Sequence, residues 1–448
     1  MKQLFSAFLL LGLLSLTIQA RVINFETDSG AIPDDKTTTT TWKNGGFLNT
    51  TLASLQPGDT LLIPNKTFYL MGGIKAKDLN SVTIQIDGTI IFSDEITLWP
   101  RDSNGSVFEC LYFENIENVT FTSSGIGLID GSGAKWWGPP GIGYLERAEN
   151  RPRLLNIAGS RKLLFENLIF KNSPYWTFWV HEVDGLEVRF CEISARRTDK
   201  DRHTLVDMSA FNTDGFDVTG KNVWIHDCTV WNQDDSFCVK DGSENMLFER
   251  INASGVGLTI GSISGSTVRN ITFRDVYMKN TYKGIYMKFR AGDQPGLIAD
   301  VLYENIYMEN PEQWPIWIGP AQQSDSGNLC AAHPCSICWP TVPYSKCEMP
   351  AAGKYQNITL RNITISNPYR TGVIMANQAN PMENVTFDGV KVINYTKKAS
   401  DYDYYSCENV VNGVATGDTW PVPNCFQDKT NRKQGSVQGQ GQETLILH

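Results

Sequence analysis

Histidine, positive charge and long apolar runs are all scarce in this chain, and each shortage excludes something. There are only 5 histidines in 448 residues, and His181, His203, His226, His333 and His448 fall at no metal-ligand spacing. They are assigned no chemistry, and no metal or other cofactor is expected. Lys and Arg total 39 against 48 Asp and Glu, a net charge of −9. That balance argues against nucleic acid or an anionic membrane surface as a partner. An acidic substrate would need a local basic patch, because the global field repels it. Beyond residue 20 no apolar run approaches the ~20 residues needed to cross a bilayer. No long segment carries a clean i, i+3, i+4 stripe, so helical and leucine-rich repeats fit poorly.

Hydrophobic residues are nonetheless 41% of the chain and charged residues 19%, enough for a large core. Residues 1–20 read as a secretory signal peptide: Lys2 is followed by the apolar stretch Leu4 to Leu16 and small residues before Ala20. Ten cysteines suit an oxidising compartment. Cys330, Cys335, Cys338 and Cys347 crowd an insert at about 322–353, read as a disulfide-stapled loop; Cys407 and Cys425 flank a polar loop and form a candidate pair. Ten N-x-S/T sequons run from Asn49 to Asn394, of which only some are expected to carry glycan. A secreted, extracellular monomer is expected, with one domain over 21–423 and a disordered polar tail over 424–448.

A short phrase recurs: Asn or another polar residue, then apolar, any, apolar. Examples are Asn118-Val119-Thr120-Phe121, Gly185-Leu186-Glu187-Val188, Asn222-Val223-Trp224-Ile225, Asn270-Ile271-Thr272-Phe273 and Asn384-Val385-Thr386-Phe387. Close intervals are 23 residues (163 to 186, 223 to 246), 25 (246 to 271) and 27 (358 to 385). Period-2 alternation marks half-buried strands, and recurrence every 20–30 residues marks a solenoid. The wider gaps, 186 to 223 and 301 to 358, leave room for an extra coil or a loop. The fold expected is all-β: a single-stranded right-handed parallel β-helix in which the asparagines turn the chain between strands.

Three carboxylates stand out. Asp214 lies in Asn212-Thr213-Asp214-Gly215-Phe216-Asp217, and Asp234 and Asp235 lie in Asn232-Gln233-Asp234-Asp235. Their separation, 21 residues from 214 to 235, is one coil, and residues one coil apart stack at ~4.8 Å. Gly257 follows 22 residues later and Lys288 another 31. One face is therefore expected to show an acid cluster, a glycine floor and a lysine. Clustered carboxylates raise one another's pKa, so one can stay protonated while another is ionised, as glycoside hydrolysis requires. Asp217, Asp227 and Asp241 are read as turn caps instead.

These motifs, together with Gly125-Ile126-Gly127-Leu128-Ile129-Asp130-Gly131, Trp136-Trp137, Asn172-Ser173-Pro174-Tyr175-Trp176 and Gly257-Leu258-Thr259-Ile260-Gly261-Ser262, resemble those of glycoside hydrolase family 28, the polygalacturonases and rhamnogalacturonases. The resemblance covers about Val22 to Gly319. It implies an inverting hydrolase with Asp234 as general acid and Asp214 and Asp235 activating water. It also implies substrate binding at Lys288, Gly257, Asn212 and Gln233, beside which Tyr286 and Arg290 are further candidates, for stacking on a sugar and for supplying charge. Two positions depart from the family pattern. Val256 stands where polygalacturonases have His in Gly-His-Gly, and Tyr286 where they have Arg in Arg-Ile-Lys. Tyr cannot replace a bidentate Arg fork, and rhamnogalacturonase-type members are similar in lacking both.

The substrate expected is an acidic plant-type or algal cell-wall polysaccharide, of galacturonan type or, in the alternative, rhamnogalacturonan. A lyase on the same solenoid and a non-catalytic polysaccharide-binding relative are the competing readings. Trp176, Trp179 and Trp231 are further candidates for stacking on sugar.

Overall fold

A residue in left-handed geometry turns the corner of the coils, and most often it is asparagine, with Lys162, Gly185 and Asp300 at equivalent corners. Asn222, Asn245, Asn270, Asn357 and Asn384 all adopt φ between 54° and 59°, the left-handed region that Asn tolerates better than most residues. Their side chains also stack. Asn270 Nδ2 donates to Asn245 Oδ1 (2.7 Å), and Asn384 Nδ2 to Asn357 Oδ1 (3.0 Å). Each corner therefore turns the chain and hydrogen-bonds to the coil below. The result, in a computed structural model that describes residues 20–138, 150–290, 292–321, 347–395 and 405–431, is a right-handed parallel β-helix.

The strand register follows the repeated phrase. Leu163 pairs with Leu186, Leu186 with Val223, Val223 with Met246, Met246 with Ile271, Ile271 with Val301, Val301 with Ile358 and Ile358 with Val385. The two wide gaps hold no extra coil, because their flanking strands pair directly. Inside, like residues stack one coil apart. Phe248, Phe273 and Tyr303 form a column with ring centroids 4.6 and 4.9 Å apart and planes within 13°. Each such ring adds roughly 1.5–3 kcal/mol of burial.

The helix Thr38–Ser54 carries no apolar stripe because its buried face includes Thr40, Thr41, Asn44 and Gly45 beside Leu48 and Leu52. Leu48 and Leu52 line the solenoid interior with Ile63, Ile84 and Ile86. One expectation is corrected: the tail does not begin at 424. Cys425 is disulfide-bonded to Cys407 with a Cα–Cα distance of 5.7 Å, and Phe426 is buried. Strand Gln427–Asp428 then pairs with Val414 and Ala415. The stretch read as a signal peptide (up to residue 19), most of the cysteine-rich insert (322–346) and the tail from 432 lie outside the described residues. Among the described residues no helix is long and apolar enough to cross a membrane.

Candidate active site

One sheet of the solenoid turns alternate side chains away from the core. Its register sets Tyr112, Asn156, Trp179, Asp217, Cys238, Thr259 and Tyr286 in a single outward file, one per coil. The three carboxylates stand at the turns that lead into this file. Gly215 N donates to Asp235 O (2.9 Å), so their turns lie on adjacent coils. Buried Asn232 ties them together: its Nδ2 donates to Thr213 O (3.0 Å), Asp234 O (2.9 Å) and Asp235 O (2.9 Å). Asp235 pairs in register with Gly257. Gly257 has φ 131°, and a Cβ there would sit 2.4 Å from Gly284 O; only glycine fits.

One oxygen from each of Asp214, Asp234 and Asp235 lies within 4.8 Å of those of the other two. Asp214 and Asp235 are buried and Asp234 is half-buried. Their surroundings differ. Asp235 Oδ2 accepts from Lys288 Nζ (2.9 Å) and its Oδ1 from Thr259 Oγ1 (2.7 Å). Burial pushes its pKa up, but Lys288, Lys240 and these hydrogen bonds outweigh it and hold Asp235 below the ordinary carboxylate range. Burial, then the neighbouring Asp235 charge, raises Asp234. Asp214 is raised furthest, by burial and by the Asp217 and Asp234 carboxylates. One ionised carboxylate thus stands beside two that favour the proton, the division that acid/base chemistry needs.

Sequence reasoning missed part of this cluster. Asp217, read as a turn cap, is fully buried in strand Phe216–Trp231, with its carboxylate 2.7 Å from Lys240 Nζ. Burial raises Asp217 to about 6, and Asp217 in turn drives Lys240 well above its ordinary value. Lys240 also lies 5.1 Å from the Trp176 ring centroid. Lys283 is buried too, with Nζ donating to Gln313 Oε1 (3.0 Å) and 4.9 Å from the Tyr286 ring centroid. It has no ion pair among the described residues, and burial followed by repulsion from Lys288 lowers it to about 7. The signal for Asp217 and Lys240 was one coil of spacing, 23 residues.

Of the proposed substrate-binding residues, Lys288, Tyr286, Gly257 and Asn212 do gather at the carboxylates. Lys288 Nζ sits 4.2 Å from the Tyr286 ring centroid, and Asn212 Nδ2 donates to Asp234 Oδ2 (3.2 Å). Two do not gather there. Gln233 turns its amide the other way: Oε1 pairs with His203 Nδ1 (2.9 Å) and Nε2 donates to Ala195 O (3.3 Å). Arg290 is exposed beyond the end of strand Lys283–Phe289, and no hydrogen bond or ion pair among the described residues joins its side chain to the carboxylates. Tyr286 is only 4% exposed and packs with Trp314, Trp317, Val373 and Met375, with Val256 against the same cluster. This gives it a wall of the site rather than an open stacking platform. Trp176 and Trp179 are half-buried on the outward side, whereas Trp231 stacks on His203 (5.1 Å).

A family model for the glycosyl hydrolases family 28 matches residues 58–416. The chain belongs to this family. It is 32% identical over 237 residues to endopolygalacturonase I of Aspergillus aculeatus, covering 51% of this chain and 58% of that protein. It is 28% identical over 282 residues to a probable rhamnogalacturonase E of Aspergillus flavus, covering 62% of this chain and 55% of that one. The chain therefore spans little more than half the length of these curated relatives. The fold is shared with the exopolygalacturonase of Thermotoga maritima (TM-score 0.59, 18% identity, 88% of this chain and 92% of that one). It is shared equally with the endo-xylogalacturonan hydrolase of Aspergillus tubingensis (TM-score 0.61, 19% identity, 88% and 100%).

Proposed function

We propose that this protein is a secreted glycosidase that hydrolyses an acidic, pectic polysaccharide of galacturonan type without a cofactor, acting as a monomer. The observation that carries the reading is the unequal treatment of adjacent carboxylates: Asp235 is held ionised by Lys288 and Thr259 while Asp234 favours its proton. Asp234 protonates the leaving glycosidic oxygen, and Asp235 takes a proton from the attacking water. Asp214, one coil away, binds that water with it. The trio stands closer than the ~6.5–9.5 Å usual for inverting pairs. The water is therefore held at the open side of the cluster rather than midway between opposed carboxylates. No divalent cation is needed, because Lys288 and Lys240 already bring positive charge to the cluster.

The outward file supplies a path for the polymer. Upstream of the carboxylates, half-buried Trp176 has Arg153 4.7 Å from its ring centroid, and half-buried Tyr112 has Lys75 at 5.3 Å. Aromatic faces next to cations suit sugars that carry carboxylates, and Lys75 and Arg153 bring positive charge to this side, Arg153 while paired with Glu109 (2.7 Å). Downstream, the Val256–Tyr286 wall favours a second reading, a rhamnogalacturonan-type substrate, because a buried tyrosine stands there in place of an arginine fork.

Release of new reducing ends from polygalacturonate and from rhamnogalacturonan, measured in parallel, tests both. Activity on one of them, lost ~10²–10⁴-fold in Asp234→Asn, is expected. Turnover that survives this substitution would remove Asp234 from its role, and binding of both polymers without cleavage would favour the non-catalytic reading.

A further inference from the structure

Asp234 is held by more than its neighbour in the sequence. Its Oδ1 accepts from Asp235 N (2.8 Å), and its Oδ2 accepts from both Asn212 N (3.3 Å) and Asn212 Nδ2 (3.2 Å). Asn212 adopts φ 55°, the left-handed geometry that lets its backbone and side-chain amides converge on one oxygen. A primary amide can present either its oxygen or its nitrogen in such a place, and which one it presents decides what the neighbouring carboxyl can do.

Arg151 makes that choice. It is 3% exposed, and its guanidinium lies 4.7 Å from the Tyr175 ring centroid. Nη1 donates to Pro174 O (3.1 Å) and Phe211 O (2.7 Å), and Nη2 donates to Asn212 Oδ1 (2.9 Å). A guanidinium has five N–H donors and no acceptor, so an Asn212 amide turned the other way would set NH2 against NH2. Arg151 is anchored by two backbone carbonyls and a ring, and has no freedom to yield.

We propose that Arg151 is a positioning residue for the acid step, acting through Asn212. It keeps the Asn212 amide a donor to Asp234 Oδ2 whatever the protonation state of the carboxyl. The proton of Asp234 is then confined to lone pairs that Asn212 does not use, and the carboxyl plane stays fixed while the proton leaves. This assignment rests on the reading of Asp234 as the general acid. Partners that orient a reacting group through one intermediate side chain are commonly worth ~10–100-fold in activity in metal sites, and a comparable effect is expected here.

The test is a cycle of Arg151→Met, Asn212→Ala and the double variant, with kcat, KM and the pH profile of each on the polysaccharide the wild type cleaves. Arg151→Met is expected to lower kcat ~10–100-fold with KM changed less than ~3-fold. The alkaline limb should move to higher pH, because losing a fixed donor to the ionised carboxylate raises the pKa of the acid. In the Asn212→Ala background the same substitution should add nothing further. Arg151→Lys, which keeps the charge without the fork, should recover folding but little of kcat. It also serves if the Met variant does not fold. Additive effects in the cycle, or an unmoved alkaline limb in Arg151→Lys with wild-type kcat, would overturn the proposal. Asp234→Asn run alongside separates the failures: if it retains full turnover, the acid assignment itself is wrong.

Discussion

Lys288 reaches back across two coils of the solenoid to set its Nζ 2.9 Å from Asp235 Oδ2. Both groups are largely withdrawn from water, so the pairing is screened little and decides which of three crowded carboxylates gives up its proton. Removing the ammonium in Lys288→Met takes away the largest influence that holds Asp235 low. A base works only when ionised, so the acidic limb of the kcat/KM profile should move to higher pH by about 1 unit or more. Activity at the acidic end should fall at least ~10-fold. A limb that stays in place while overall activity drops would give Lys288 a role in substrate binding alone.

Asp217, fully buried, and Lys240, half-buried, are a pair whose members depend on each other. Asp217→Asn leaves the Lys240 ammonium without its countercharge, and breaking such a pair typically costs ~3–5 kcal/mol. Denaturant unfolding should show a loss of that order, and the double variant Asp217→Asn/Lys240→Met should recover most of it. A single variant as stable as wild type would mean that water or a backbone group already satisfies Lys240.

Lys283 makes a prediction of opposite sign. Burial lowers its pKa to about 7, so below pH 7 the folded protein carries an ammonium it disfavours. Between about 7 and the ordinary lysine value near 10.5, the unfolded chain binds the extra proton and wild-type stability rises with pH. Lys283→Met should therefore raise Tm most below pH 7, by ~2 °C or more, with the gain fading towards pH 10. An equal change at both ends of this range would show that the substitution acts by packing rather than by charge.

The close spacing of the carboxylates invites a stereochemical measurement. If Asp235 and Asp214 activate water directly, the first sugar released has the opposite anomeric configuration to the bond cleaved, visible by proton NMR before mutarotation. Retention of configuration would instead make one carboxylate a nucleophile, as expected for groups ~5–5.5 Å apart.

Much of this molecule was legible in its residues because a solenoid repeats the same local problem. Asn at most corners and alternating apolar residues state both the turn and the strand, and counting coils places Asp214 beside Asp235. What was not legible depends on where side chains point. Gln233 sits next to the acid pair in sequence, yet its amide serves His203 and Ala195 O. Asp217 looked like a turn residue until register placed it one coil from Cys238, two residues before Lys240. Helix Thr38–Ser54 escaped notice because threonine, asparagine and glycine fill much of the face it buries.

That helix has a consequence for how the molecule behaves in a crowd. A stack of parallel strands offers bare amide and carbonyl rows at both extremities, and an uncovered row can recruit another chain. Leu48 and Leu52 stopper the hollow at the leading extremity, where the outermost strand, Val22–Asn24, is only 3 residues long. A hollow stoppered in this way, beside so short a strand, is a poorer template for a second copy than a long bare edge would be.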